Sequence, residues 1–77
     1  MMVILRKKEG GNVISIPPQK VEFITVEGAD STVVVVVGRR AIKLFGVARP
    51  EDLLRLKPGE HTYEKALLIP NYDEYVA

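Results

Sequence analysis

The chain has no cysteine and no tryptophan, and it has a single histidine. Without cysteine it can form neither a disulfide framework nor a thiolate metal site. The one histidine, His61, leaves little else from which a transition-metal site could be built. We therefore expect no bound metal and no cofactor.

Long apolar runs are also missing. The apolar start of the chain, residues 1–5, is too short for the hydrophobic core of a signal peptide and precedes the basic residues instead of following them. No run approaches the roughly 20 apolar residues of a membrane-spanning helix. These features predict a cytoplasmic protein without a membrane partner.

An excess of charge of one sign is absent too. Eleven basic and ten acidic residues give a formal net charge of +1, which argues against a chromatin-type protein. Amide side chains are few, with one glutamine and two asparagines, a usage that resembles thermophile composition. A length of 77 residues predicts one small β domain, which we place at residues 1–70, with a C-terminal tail at residues 71–77.

What the chain does have is a series of short β-prone segments separated by glycine and proline. Residues 32–37 form the clearest strand, because β-branched side chains suit a pleated surface. Residues 50–56 predict one short helix, since proline suits its first position and acidic residues favour its first turn. Further strands are expected at residues 1–8, 13–16, 20–27, 41–45 and 62–69. The predicted fold is mostly β with a minor helical part: a small antiparallel β-barrel or bent sheet of five to six strands with one short helix.

The five consecutive valines at Val33–Val37 do not alternate with polar residues, so both faces of this strand need cover. One face can pack into the core. The helix and the tail, or else a second copy of the chain, would cover the other face. We favour the second copy, because 77 residues leave little material for another layer. The hypothesis is a homo-oligomer, most simply a two-fold dimer, with Val33, Val35 and Val37 at its interface.

Candidates for catalysis are few. Ser15 lies within a predicted strand and Ser31 within a turn, and neither stands in the strand-to-helix turn of a nucleophile elbow. His61 follows a proline-glycine turn, so we expect an exposed surface side chain and not a base or a ligand. The acidic pairs at 51–52 and 73–74 are explained by a helix start and a solvated tail. We predict no catalytic residue, no small-molecule substrate and no enzymatic activity.

Two groups of basic residues support an alternative function, the binding of nucleic acid. Such a site would need both groups on one rim of the fold, where they would form a phosphate-binding patch. Aromatic residues that could stack on bases are few, and Phe23 and Phe45 are assigned to the core instead. The candidate nucleic-acid-binding residues are Arg6, Lys7, Lys8, Arg39, Arg40 and Lys43.

The tail is the third candidate interaction site. Tyr72 and Tyr75 are spaced to anchor in a groove of another protein or of a neighbouring subunit, although a frayed terminus fits the same composition. The sequence as a whole predicts a non-enzymatic, self-associating interaction or assembly module, with a small nucleic-acid-binding protein as the alternative.

Overall fold

The computed structural model describes residues 1–11, 13–28, 31–38 and 40–69. In these ranges it contains seven β-strands, one α-helix and a 3-10 turn at Pro18–Lys20. This mostly β architecture with one short helix confirms the predicted fold class. The elements are β1 (Val3–Lys7), β2 (Val13–Ile16), β3 (Val21–Val26), β4 (Val33–Val37), β5 (Arg40–Phe45), α1 (Pro50–Leu54), β6 (Gly59–Tyr63) and β7 (Lys65–Ile69).

The strands form two sheets that belong to one strongly bent structure. The three-stranded sheet has the order β2-β1-β6, and the four-stranded sheet has the order β3-β4-β5-β7. The pairing of β1 with β6 is parallel and the other pairings are antiparallel. Within the described ranges no ladder joins β2 to β3. The barrel therefore stays open, and the bent sheet is the form that the chain adopts.

The change of sheet between β6 and β7 takes place at a single residue, Glu64. Its backbone N–H donates to the carbonyl oxygen of Phe45 at 2.9 Å, which ties the bend to the end of β5. Gly46 lies against this bend with a φ angle of 64°, a conformation that favours glycine. A Cβ atom at position 46 would lie 2.7 Å from the Cγ and Cδ atoms of Glu64. The absence of a side chain at Gly46 therefore lets the two segments approach each other.

The main core lies between the two sheets and is completed by α1. Each of the two sheets and the helix contributes a leucine that is almost fully buried: Leu5 of β1, Leu44 of β5 and Leu53 of α1. Burial of a side chain of this size stabilises the fold by about 1.5–3 kcal/mol. The buried members of the main core are Val3, Leu5, Ile16, Val33, Val35, Ile42, Leu44, Val47, Leu53 and Tyr63.

The four-stranded sheet has a core face, turned toward the main core, and an outer face on the opposite side. Val33 and Val35 of β4 lie on the core face, whereas Val34 and Val36 lie on the outer face and form a second buried cluster with Ala41. Both faces of the valine run are thus buried, as its lack of alternation predicts. The outer face comprises Phe23, Thr25, Val34, Val36, Ala41, Lys43, Phe45, Lys65, Leu67 and Ile69.

The largest departure from the sequence predictions concerns β6. Pro58 and Gly59 predict a turn, but Gly59 begins a strand that pairs in parallel with β1. Residues 62–69, expected as one strand, are instead divided between β6 and β7 at Glu64. The partner of β6 lies more than fifty residues earlier in the chain, so local sequence patterns carry no signal for this pairing.

We expect Gly46→Ala to lower the free energy of unfolding more than Gly10→Ala, as measured by urea denaturation. Both glycines have positive φ, so alanine costs each about 1–2 kcal/mol of backbone strain. A Cβ atom at Gly10 meets nothing within 4 Å, whereas one at Gly46 displaces Glu64 at the corner.

The additional loss at position 46 should disappear in the Glu64→Ala background, because alanine lacks the two displaced carbon atoms. Equal losses for Gly46→Ala and Gly10→Ala in the parent chain would show that the close approach at the corner does not matter.

Candidate self-association edge

The structure places the valines expected at a subunit interface on the core side of β4. Val33 and Val35 have 0% and 1% of their surface exposed and belong to the main core, and Val37 is partly buried against it. Their side chains therefore already pack against residues of the same chain. A surface for self-association has to be sought among residues that remain exposed.

Sheet edges are common sites of self-association, because an edge strand presents backbone N–H and C=O groups with which a second strand can form hydrogen bonds. In the described ranges, three of the four edge strands are very short, covered by another segment or interrupted by a bulge. The edge strand β2 has four residues and runs into Pro17, which cannot donate to a ladder. The edge of β6 is covered where the N–H of Ala48 donates to the carbonyl oxygen of Thr62 at 3.1 Å. β3 contains a bulge between Val21 and Phe23 and contacts α1.

The fourth edge, β7, ends at a proline, Pro70, as β2 does, but its five described residues form a regular ladder without a bulge. Among the described residues no segment pairs with its free side. Leu67 is 51% exposed and Leu68 is 63% exposed, and they point to opposite faces of the sheet because successive side chains alternate. Only Lys65, at the first position, carries a charge. An apolar and regular edge of this kind is a typical site for pairing with another strand.

The first basic group lies on and just after β1 of the three-stranded sheet, whereas Arg40 and Lys43 lie on β5 of the four-stranded sheet. Lys7 is exposed at the end of β1, and the N–H of Lys8 donates to the carbonyl oxygen of Tyr63 at 2.8 Å, next to the corner that is tied to Phe45. Arg40 begins β5, five residues before Phe45 and therefore about 17 Å away along the strand.

Two of the basic side chains are also engaged in ion pairs on different sheets. Arg6 pairs with Glu60 across β1 and β6, and the Nζ atom of Lys43 lies 2.8 Å from a carboxylate oxygen of Glu27. Arg39 lies outside the described residues. Arg40 thus lies away from Lys7 and Lys8, and Arg6 and Lys43 are held in ion pairs, so the described basic residues do not form the single free rim that the nucleic-acid hypothesis requires. That hypothesis stays a prediction without geometric support.

The aromatic side chains occupy positions that the sequence did not indicate. Phe23 and Phe45, which were expected in the core, lie on the outer face, and Phe23 is 37% exposed. Tyr63 is buried in the main core. Tyr72 and Tyr75 lie outside the described residues, so their predicted role as tail contacts stays a prediction.

His61 is buried, contrary to the expectation of an exposed turn residue. It lies on β6 with its side chain turned inward, and only 7% of its surface is exposed. Its Nε2 atom donates to the carbonyl oxygen of Lys57 at 2.6 Å, since that carbonyl can only accept. This contact ties β6 to the segment that follows α1, and it gives the histidine a structural role.

An open depression of about 480 Å³ adjoins His61. Its lining contains two cationic and two acidic side chains, Arg49, Lys57, Asp52 and Glu60. This balance favours neither an anionic nor a cationic ligand. Across the described ranges no group of three histidine or acidic residues is arranged to hold a metal ion. The residues lining the depression are Ala48, Arg49, Asp52, Lys57, Pro58, Glu60, His61 and Thr62.

Comparison of the chain with protein-family models, with curated proteins and with solved structures finds no match. A search for helices long and apolar enough to cross a membrane finds none in the part of the chain that the structure describes. Among the described edge strands, β7 carries the most exposed apolar side chains.

We expect His61→Ala to lower the free energy of unfolding by about 2–3 kcal/mol, measured by urea denaturation. The change removes buried side-chain volume and leaves the carbonyl oxygen of Lys57 without its donor. Glu60→Ala serves as the control on the same strand, because an exposed ion pair contributes less than about 1 kcal/mol.

His61→Gln should recover part of the loss, since its amide can also donate to the carbonyl oxygen of Lys57. If His61→Ala were no more destabilising than Glu60→Ala, the structural role of the histidine would be refuted.

Proposed function

We propose that this chain is a non-enzymatic assembly module that associates with a second copy of itself by antiparallel pairing of β7. The observation that carries the proposal is the exposure of Leu67 and Leu68 on an edge strand that the described residues leave uncovered. Small soluble domains normally protect such an edge with charges, proline or bulges. At β7 these devices are missing between Ala66 and Ile69.

The sequence of β7 is complementary to itself in an antiparallel pair centred on Leu67. In this register Leu67 faces the partner's Leu67 on the outer face, and Ala66 faces the partner's Leu68 on the core face. A small side chain then lies opposite a large one, which favours close packing across the strands. The two copies of Lys65 lie at opposite ends of the ladder, so no like charges are placed directly opposite each other.

The same register limits how far the pairing extends. Pro70 follows β7 and has no N–H, so it cannot donate to a longer ladder. A ladder of five residues is small beside the roughly 800 Å² per partner that stable complexes bury. We therefore expect a dimer whose population rises with protein concentration. Pairing of this kind would join two four-stranded sheets into one continuous sheet.

The proposal predicts a concentration-dependent mass that approaches twice 8.6 kDa, measured by sedimentation equilibrium or by light scattering on a sizing column. Leu68→Lys should shift the equilibrium toward the monomer, because pairing would bring a lysine on each edge into the interface. Val13→Lys is the matched control, because Val13 is 41% exposed but lies on the other sheet.

A mass of 8.6 kDa at every concentration would overturn the proposal, as would equal dissociation by Leu68→Lys and Val13→Lys. An ultraviolet spectrum recorded across the peak tests the alternative function at the same time. Nucleic acid that travels with the protein and leaves at high salt would favour that alternative.

A further inference from the structure

The central part of the outer face is buried from solvent, and edge pairing of β7 would not cover it. Val34 and Val36 are only 2% and 4% exposed, and Ala41 is fully buried. Among the described residues, Ile69 is the partly buried apolar side chain that packs against this cluster. Ile69 belongs to the same sheet and lies beside Ala41, so it flanks the cluster and does not lie above it.

The outer face also carries positive charge around an aromatic ring. The Nζ atoms of Lys43 and Lys65 lie 5.5 and 5.8 Å from the centroid of the Phe45 ring. Lys43 is paired with Glu27, whereas Lys65 forms no ion pair within the described ranges. A segment that covers this face should therefore combine apolar or aromatic side chains with negative charge.

We propose that the outer face of the four-stranded sheet binds the acidic, tyrosine-bearing C-terminal segment of the same chain, residues 71–77. This segment contains Tyr72, Tyr75 and Val76 together with Asp73 and Glu74. Its composition matches both properties of the face, because tyrosine supplies contact area for the valine cluster and the carboxylates suit Lys65.

The position and length of the segment fit the same conclusion. β7 ends at Ile69, whose register partner is Ala41, so the chain leaves the sheet beside the valine cluster. Eight residues follow Ile69, and an extended chain of that length reaches about 26 Å. From β7 to the far edge of the sheet at β3 there are three strand spacings, about 14 Å. The segment is long enough to cross the whole face.

Thiol labelling tests this proposal cleanly, because the chain has no cysteine of its own. Val34→Cys introduces a thiol of similar size under the proposed cover. Thr25→Cys introduces one at an exposed position of the same face, and Val35→Cys introduces one in the main core. In the full chain we expect slow labelling at positions 34 and 35 and fast labelling at position 25.

Combining each cysteine with Tyr72→Ser and Tyr75→Ser identifies the cover. Labelling at position 34 should accelerate at least about tenfold, the factor that corresponds to about 1.4 kcal/mol, while labelling at position 35 stays slow. Lys65→Glu should accelerate labelling at position 34 about two- to fivefold, as expected for the loss of one surface charge pair. The Leu68→Lys background keeps these rates separate from self-association.

Three results would overturn the proposal. Labelling at position 34 as fast as at position 25 would show that the face is open. Unchanged protection in the tyrosine variants would show that another segment covers it. Protection that disappears on dilution would assign the cover to a neighbouring copy. The mass of the parent chain and the labelling rates in the Leu68→Lys background are separate measurements, so a failure of either proposal can be recognised by itself.

Discussion

The valine strand β4 imposes the constraint on which the rest of this structure depends, because its side chains have to be removed from water on both faces. Hydrogen bonds to β3 and β5 place it in the interior of a sheet, but they cover neither face. On the core side, the three-stranded sheet and α1 supply the cover. The sharp bend at Glu64 makes this possible, since it turns the chain from one sheet into the other without a loop.

Elements with strong local signals could be predicted from the sequence, and those that depend on distant partners could not. β4 and β5 are predictable because β-branched residues and a glycine turn specify a local hairpin over residues 33–45. β6 was missed because Pro58 and Gly59 are typical of a turn, and only the parallel pairing with β1 makes the segment a strand. His61 was misplaced for the same reason, as its burial follows from that pairing.

A run of identical valines contains no information about which of its members face the core. The pattern of β5 fixes the assignment, since Ile42 and Leu44 lie opposite Val35 and Val33 in the main core, whereas Ala41 and Lys43 face the other way. Likewise, the leucines of β7 are recognisable as apolar from the sequence, but only the topology shows that they lie on an uncovered edge.

The two proposals concern neighbouring surfaces, and where both hold their geometry couples them. In an antiparallel pair centred on Leu67, Ile69 of one chain lies opposite the partner's Lys65. The C-terminal segment would then leave β7 next to the second copy's Lys65, whereas its own Lys65 lies four residues earlier, about 13 Å away along the strand. Its carboxylates would gain a second cation on dimerisation, so binding of the segment and self-association would strengthen each other by the same free energy. A weak edge pairing could in this way be reinforced without a larger interface.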